Sequence, residues 1–130
     1  MSLPDPDSRY LTERGIAHQV VVEGSMVCVV LVGWALPEGL SVRQTDVLIR
    51  LSAGYPDVPP NMWWCDPGVR RSDGSAIPAT QVIEPHLGRS WQRWSRHLAA
   101  GQWQSGIDGL ESYFTLMRSE FVLAANGRVA

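Results

Sequence analysis

Four side chains in this sequence have the right types for bond-making chemistry: the thiol of Cys65, the hydroxyl of Ser95 and the imidazoles of His86 and His97. A thiol or hydroxyl beside an imidazole is the pattern of nucleophilic catalysis. The ring takes the proton and the deprotonated atom attacks a carbonyl. His97 stands two residues after Ser95, and on a helix such residues do not face each other. His86 can approach from a loop. The second cysteine, Cys28, lies inside the apolar run Val27 to Val32 and reads as a small core hydrophobe. His18 opens a β-rich stretch and reads as a solvated edge residue. Neither cysteine belongs to a CxxC pair and no histidine stands at ligand spacing from one, so no metal or other cofactor is expected. Asp66 and Asp73, flanking Arg70 and Arg71, read as solvated loop charges.

A second constellation is basic and aromatic. All eleven positive residues are arginine, so no Schiff-base or P-loop lysine is available. From Pro85 to Ile107 there is no acidic residue, while Arg89, Arg93 and Arg96 alternate with Trp91, Trp94 and Trp103. With His97, these residues form a candidate site for a carboxylate-bearing partner, since guanidinium forks grip carboxylates and tryptophan supplies rigid contact area. The same residue types suit single-stranded nucleic acid, with bases stacked on tryptophan. They equally suit rings filling a core beneath a solvated arginine face. A net charge of −2 argues against a dedicated duplex-DNA binder.

These residues must be positioned by one domain, residues 1–130, because 130 residues with 45% hydrophobic and 18% charged make a single-core chain. No apolar run nears the ~20 residues of a membrane span. The acidic start, Met1 to Asp7, is not a secretory signal, which points to the cytoplasm. Residues 7–15 suit a short helix capped by Asp7 or Ser8 and stopped at Gly15. Strands are expected at His18–Val22, Met26–Trp34, Asp46–Leu51 and Asn61–Cys65, with a hairpin turn at Glu23-Gly24-Ser25. The prolines of Gly54 to Pro60 predict a rigid extended connector, and Asp66 to Thr80 a long loop. Ser90 to Ala100 suits a helix with Trp91, Trp94 and Leu98 on one face. The last segment is a helix begun by a Ser105/Asp108 capping pair, with Ile107, Leu110, Phe114, Met117 and Phe121 as its apolar stripe and Gly127 as its stop. The class is α+β, an antiparallel meander of about four strands with helices on one face.

This order of elements, with Tyr55-Pro56-Asp57-Val58-Pro59-Pro60 before the fourth strand, resembles the ubiquitin-conjugating (UBC) superfamily. The strings Gly88-Arg-Ser-Trp-Gln-Arg-Trp-Ser-Arg-His97 and Trp103-x-x-Gly106-x-Asp108-x-Leu110 resemble its bacterial branch, prokaryotic family E. The likeness covers about residues 18–124, with Tyr55, Pro56, Pro59 and Pro60 as its fold motif. It implies a UBC-like fold and a part in a bacterial ubiquitin-like conjugation or processing system. The partners implied are a ubiquitin-like protein and a ThiF-type activating enzyme. Active members of the superfamily carry an acyl group on a cysteine after a His-Pro-Asn turn and before a tryptophan. Trp103 resembles that tryptophan and Pro85-His86 falls near the turn, but no cysteine occurs from residue 66 onward. The resemblance therefore implies a UBC-like binding protein without the usual catalytic cysteine, with an enzyme using Cys65, Ser95, His86 or His97 as the alternative.

Overall fold

The computed structural model describes residues 2–127. Met1 and residues 128–130, part of the single-domain expectation, lie outside the described residues. The first helix, α1 (Asp5–Glu13), is capped by Pro4 and not by Asp7 or Ser8. Pro6 sits in its first turn, where a missing N–H costs nothing because no helical acceptor lies behind it. Asp7 is thereby freed for another task, described below. Gly15, at φ +63°, ends the helix as expected.

The strands are β1 (His18–Glu23), β2 (Met26–Ala35), β3 (Gln44–Leu51), β4 (Met62–Asp66), β5 (Ile83–His86) and β6 (Arg89–Ser95). They form one sheet in the order β1-β2-β3-β4-β6-β5, antiparallel throughout. The expected meander of four is present. The helix expected over Ser90 to Ala100 is replaced by β6, and β5 adds a sixth strand. The two new strands are joined by Leu87 and Gly88, both at positive φ (53° and 74°), the geometry of a two-residue hairpin turn. Trp91 and Trp94, three apart, fit a helix face by spacing. They in fact point to opposite sides of a strand that is buried on both.

Both sides are buried because the curled sheet carries two cores. On one side lie α1 and the C-terminal helix α2 (Leu110–Ala125), packing Leu11, Phe114, Met117 and Phe121 against Val29, Ile49, Trp63 and Trp94. On the other, Cys28, Val30, Leu48, Trp64 and Trp91 form a smaller cluster under Leu87 of the β5–β6 hairpin. The strict alternation in β3 serves this division: Val47, Ile49 and Leu51 face the helices, and Leu48 faces the small core.

Three expectations about the connections change. The Tyr55–Pro60 segment is a closed turn and not an extended connector: Tyr55 N–H donates to the Ser52 carbonyl (3.1 Å) and Val58 N–H to that of Gly54 (2.8 Å). Proline blocks helix propagation but suits turns. Ser105 and Asp108 do not cap α2. Asp108 accepts from Gln104 N–H (2.6 Å) within its own turn, and Ser105 bonds Asp57. The helix starts at Leu110, so Ile107 lies outside the stripe and is 78% exposed. The long loop before β5 is tightly docked. The Gln92 amide accepts from Val69 N–H (2.7 Å) and donates to the Val69 carbonyl (2.8 Å), and Arg71 Nε donates to the Ala124 carbonyl at the end of α2 (2.9 Å).

Candidate functional site

The end of β6 brings two of the four chemistry-bearing residues together. In an extended chain, residues two apart point the same way. Ser95 and His97 therefore meet, with Ser95 Oγ 3.2 Å from His97 Nε2. The expectation that they could not face each other rested on a helix that is not there. Ser95 is held by the sheet, opposite Met62 on β4 and with its N–H donating to the Ala79 carbonyl (3.1 Å). Between them Arg96 turns inward. Its Nε donates to Glu120 Oε1 on α2 (2.7 Å), another guanidinium nitrogen donates to the Pro78 carbonyl (3.0 Å), and its Cζ lies over the Trp94 ring, 5.0 Å from the ring centre. These groups, with Leu116 of α2, line an open cleft of about 360 Å³. Among the described residues no group hydrogen-bonds Nδ1 of His97, so nothing fixes its tautomer as the third member of a catalytic triad would.

The other two candidates lie elsewhere. Cys65 is fully buried against the helices, and burial pushes its thiol well above the ordinary range. It pairs with Gln92, three positions along β6 from Ser95, or about 10 Å at strand rise. Cys28 is fully buried in the small core, and burial raises its pKa too, against the pull of Arg50. A thiolate is the nucleophilic form, so neither cysteine is placed to attack. His86 sits on β5, between Glu23 (3.7 Å from Nδ1) and Glu84 (3.6 Å from Nε2) and edge-on to Trp64. It belongs to the small-core side and shares no cleft with Ser95 or Cys65.

The basic, aromatic segment is answered by acids, three from distant parts of the chain and one, Glu84, from the neighbouring strand of its own hairpin. Arg89 bonds Asp46 (3.0 Å) and Asp66 (2.9 Å), Arg93 bonds Glu84 (3.1 Å), and Arg96 bonds Glu120. The charge segregation visible along the sequence is thus not a segregation in space. Trp91 and Trp94 are both at 0% exposure, one in each core, with Trp91 Nε1 donating to the His86 carbonyl and Trp94 Nε1 to Gln92. As direct partner contacts, or as stacking platforms for bases, these two rings are corrected by the structure: they are packing. Trp103 is half-buried, donating from Nε1 to the Pro56 carbonyl (2.8 Å) and lying against Tyr55. It fastens the loop after β6 to the proline turn.

One relationship had no signal in the spacing of residues. Asp7, from α1, accepts from Leu110 N–H (3.0 Å) and from the Tyr55 hydroxyl (2.7 Å), so it caps α2 across the fold. Burial, reinforced by that carboxylate, raises the Tyr55 phenol far above its ordinary pKa. The Tyr-Pro motif thereby ties the proline turn to both helices beside the Trp103 loop. Among the described residues no group of three or more His, Cys, Asp or Glu is placed to hold a metal.

No curated protein and no solved structure matches this chain. The model of one protein family, prokaryotic E2 family E, matches residues 3–124, from the start of the capping helix almost to the end of α2. With its antiparallel sheet, its helices on one face and its Tyr-Pro turn, the chain belongs to prokaryotic E2 family E.

Proposed function

We infer that this is a UBC-like protein of a bacterial ubiquitin-like conjugation or processing system, which binds a ubiquitin-like protein or its ThiF-type activating enzyme without carrying an acyl group on cysteine. A cytoplasmic location goes with that reading. One observation carries it. Both thiols, Cys28 and Cys65, are at 0% exposure, while the solvent-facing end of β6 presents Ser95 and His97. An acyl carrier needs an accessible thiolate, and exposing Cys65 would mean pulling β4 from the centre of the sheet. The contacts with a partner fall on His97 and on the open face of Trp103, beside α2, where Trp94 and Arg96 pack beneath. Arg89 and Arg93 offer their outer edges on the small-core side, over Trp91 and Trp64.

The test is incubation with a ThiF-type activating enzyme, ATP and the ubiquitin-like protein, read by intact-mass spectrometry and by calorimetry. The expected outcome is saturable binding, weakened by His97→Ala, with no covalent adduct. An adduct on Cys65 or a histidine overturns the reading. The 3.2 Å contact of Ser95 with His97 favours a second reading, acyl transfer to Ser95 with His97 as the base. That reading predicts an adduct resistant to thiol reagents and lost in Ser95→Ala.

A further inference from the structure

Among the described residues β1 is an edge of the sheet, bonded only to β2, and it lacks the devices that usually protect such an edge. It contains no proline and no lysine, and its register with β2 runs unbroken from His18 to Glu23 without a bulge. Its middle is three consecutive valines, Val20, Val21 and Val22, exposed by 42%, 41% and 50%. Its one acidic side chain is turned away: Glu23 accepts from Leu87 N–H (2.9 Å) and from Arg50 (3.2 Å) across the small core. Its charge, still part-exposed, is thus matched by Arg50.

The backbone of this edge is open in a definite pattern. Ala17 accepts from Val32 N–H (2.9 Å), and bonded residues alternate along an antiparallel strand. Gln19, Val21 and Glu23 therefore aim their N–H and C=O groups at β2. His18, Val20 and Val22 aim theirs outward, leaving three donors and three acceptors without a strand to pair with.

We propose that β1 pairs with β1 of a second copy of this chain, joining two sheets edge to edge into one continuous antiparallel sheet. The strand is self-complementary. A two-fold axis at Val21 sets Val21 against its own copy and sets Val20 against Val22 of the second copy, twice, with all three pairs valine on valine. The outward groups of Val20 and Val22 meet their counterparts in that register. In that register Glu23, already paired with Arg50, stands opposite Gln19 of the second copy, so like charges are not set against each other. A five-residue pairing, Gln19 to Glu23, buries less than a standard interface, so the dimer is weak and depends on concentration.

Sedimentation velocity over a range from about 5 to about 500 µM tests this. The expected result is a weight-average mass rising from 14.4 kDa toward twice that value. Val20→Pro removes one outward N–H and leaves the β1–β2 ladder whole, because that N–H does not point at β2. Val22→Lys keeps the backbone and places a charge next to the centre of the pairing, against Val20 of the second copy. Both are expected to stay at 14.4 kDa throughout, with far-ultraviolet dichroism unchanged. If Val20→Pro disturbs the strand, Val22→Lys carries the test alone. A wild-type chain that stays monomeric over the whole range overturns the proposal. So does a dimer that persists in the folded Val22→Lys variant, and so does a monomer that instead adds an extended valine-rich peptide to this edge.

Discussion

The Tyr55 hydroxyl donates a 2.7 Å hydrogen bond to Oδ2 of Asp7, a residue forty-eight positions earlier, while Oδ1 of the same carboxylate caps α2 at Leu110. Asp7 is only 6% exposed, so its loss would leave two buried donors without partners. Asp7→Ala is expected to cost roughly 2–5 kcal/mol, the sum of a lost cap and unsatisfied donors. Asp7→Asn keeps one acceptor oxygen and is expected to cost about half as much. Urea unfolding followed by tryptophan fluorescence measures both. Equal stability of Asp7→Ala and wild type would show that the cap contributes nothing.

Gly109 adjoins this cap. Its φ of −158° is available to any residue, yet a Cβ there would stand 2.8 Å from Asp7 Oδ1. Gly109→Ala should therefore destabilise by displacing the carboxylate, by about 1–3 kcal/mol, as expected for steric overlap in a packed site. In the Asp7→Ala background the clash is absent and the same substitution should cost little. A double-mutant cycle reads the coupling; additive losses would contradict the geometry.

The thiols and phenols set the alkaline limit. Cys65, Tyr55 and Tyr113 are all raised by burial, so the unfolded chain gives up these protons at lower pH than the folded one. Their contribution is whole below the ordinary thiol range and falls as pH climbs beyond about 9. Stability should decline above that point, and Cys65→Val should remove part of the decline. At pH 8 a thiol reagent should label neither cysteine in the folded chain and both after unfolding. Rapid labelling of Cys65 in the native state would remove the main support for the non-covalent reading of function.

The opposite sign holds at the β5–β6 hairpin. Glu84 is lowered by the hydrogen bond from Trp64 and then by Arg93, and Glu23 by the N–H of Leu87 and then by Arg50. Carboxyls lowered on folding stabilise above their ordinary pKa and lose that contribution as pH falls through about 4. The hairpin should loosen there, with a red shift in the emission of Trp64 and Trp91. Glu84→Gln should flatten this acid limb. An unchanged profile would show that the hairpin is held by packing alone.

The meander, the first and last helices and the family were legible because they rest on local signals: the valine runs, the Tyr-Pro turn and the apolar stripe of α2. Residues 89–95 were misread because a strand buried on both faces has no alternation, so Trp91 and Trp94 mimic helical spacing while serving different cores. The hairpin before it turns at Leu87 and Gly88, without the Asn or Asp that usually marks such a turn. Once β6 is extended, the meeting of Ser95 and His97 follows at once. The partners of Arg89 and Arg96 were invisible in a window of sequence because Asp46, Asp66 and Glu120 arrive through tertiary structure; Glu84, the partner of Arg93, stands just before the acid-free stretch and is brought opposite by the hairpin.

Gln92 has a further consequence. From a side chain, it supplies to Val69 the donor and acceptor that a seventh strand would have offered from its backbone. The segment after β4 is therefore irregular in form but belongs to the cooperative unit of the sheet. It should open only when β6 opens. Amide exchange at Val69 should then run at the pace of the sheet's interior, orders of magnitude slower than at Gly74 on the same loop.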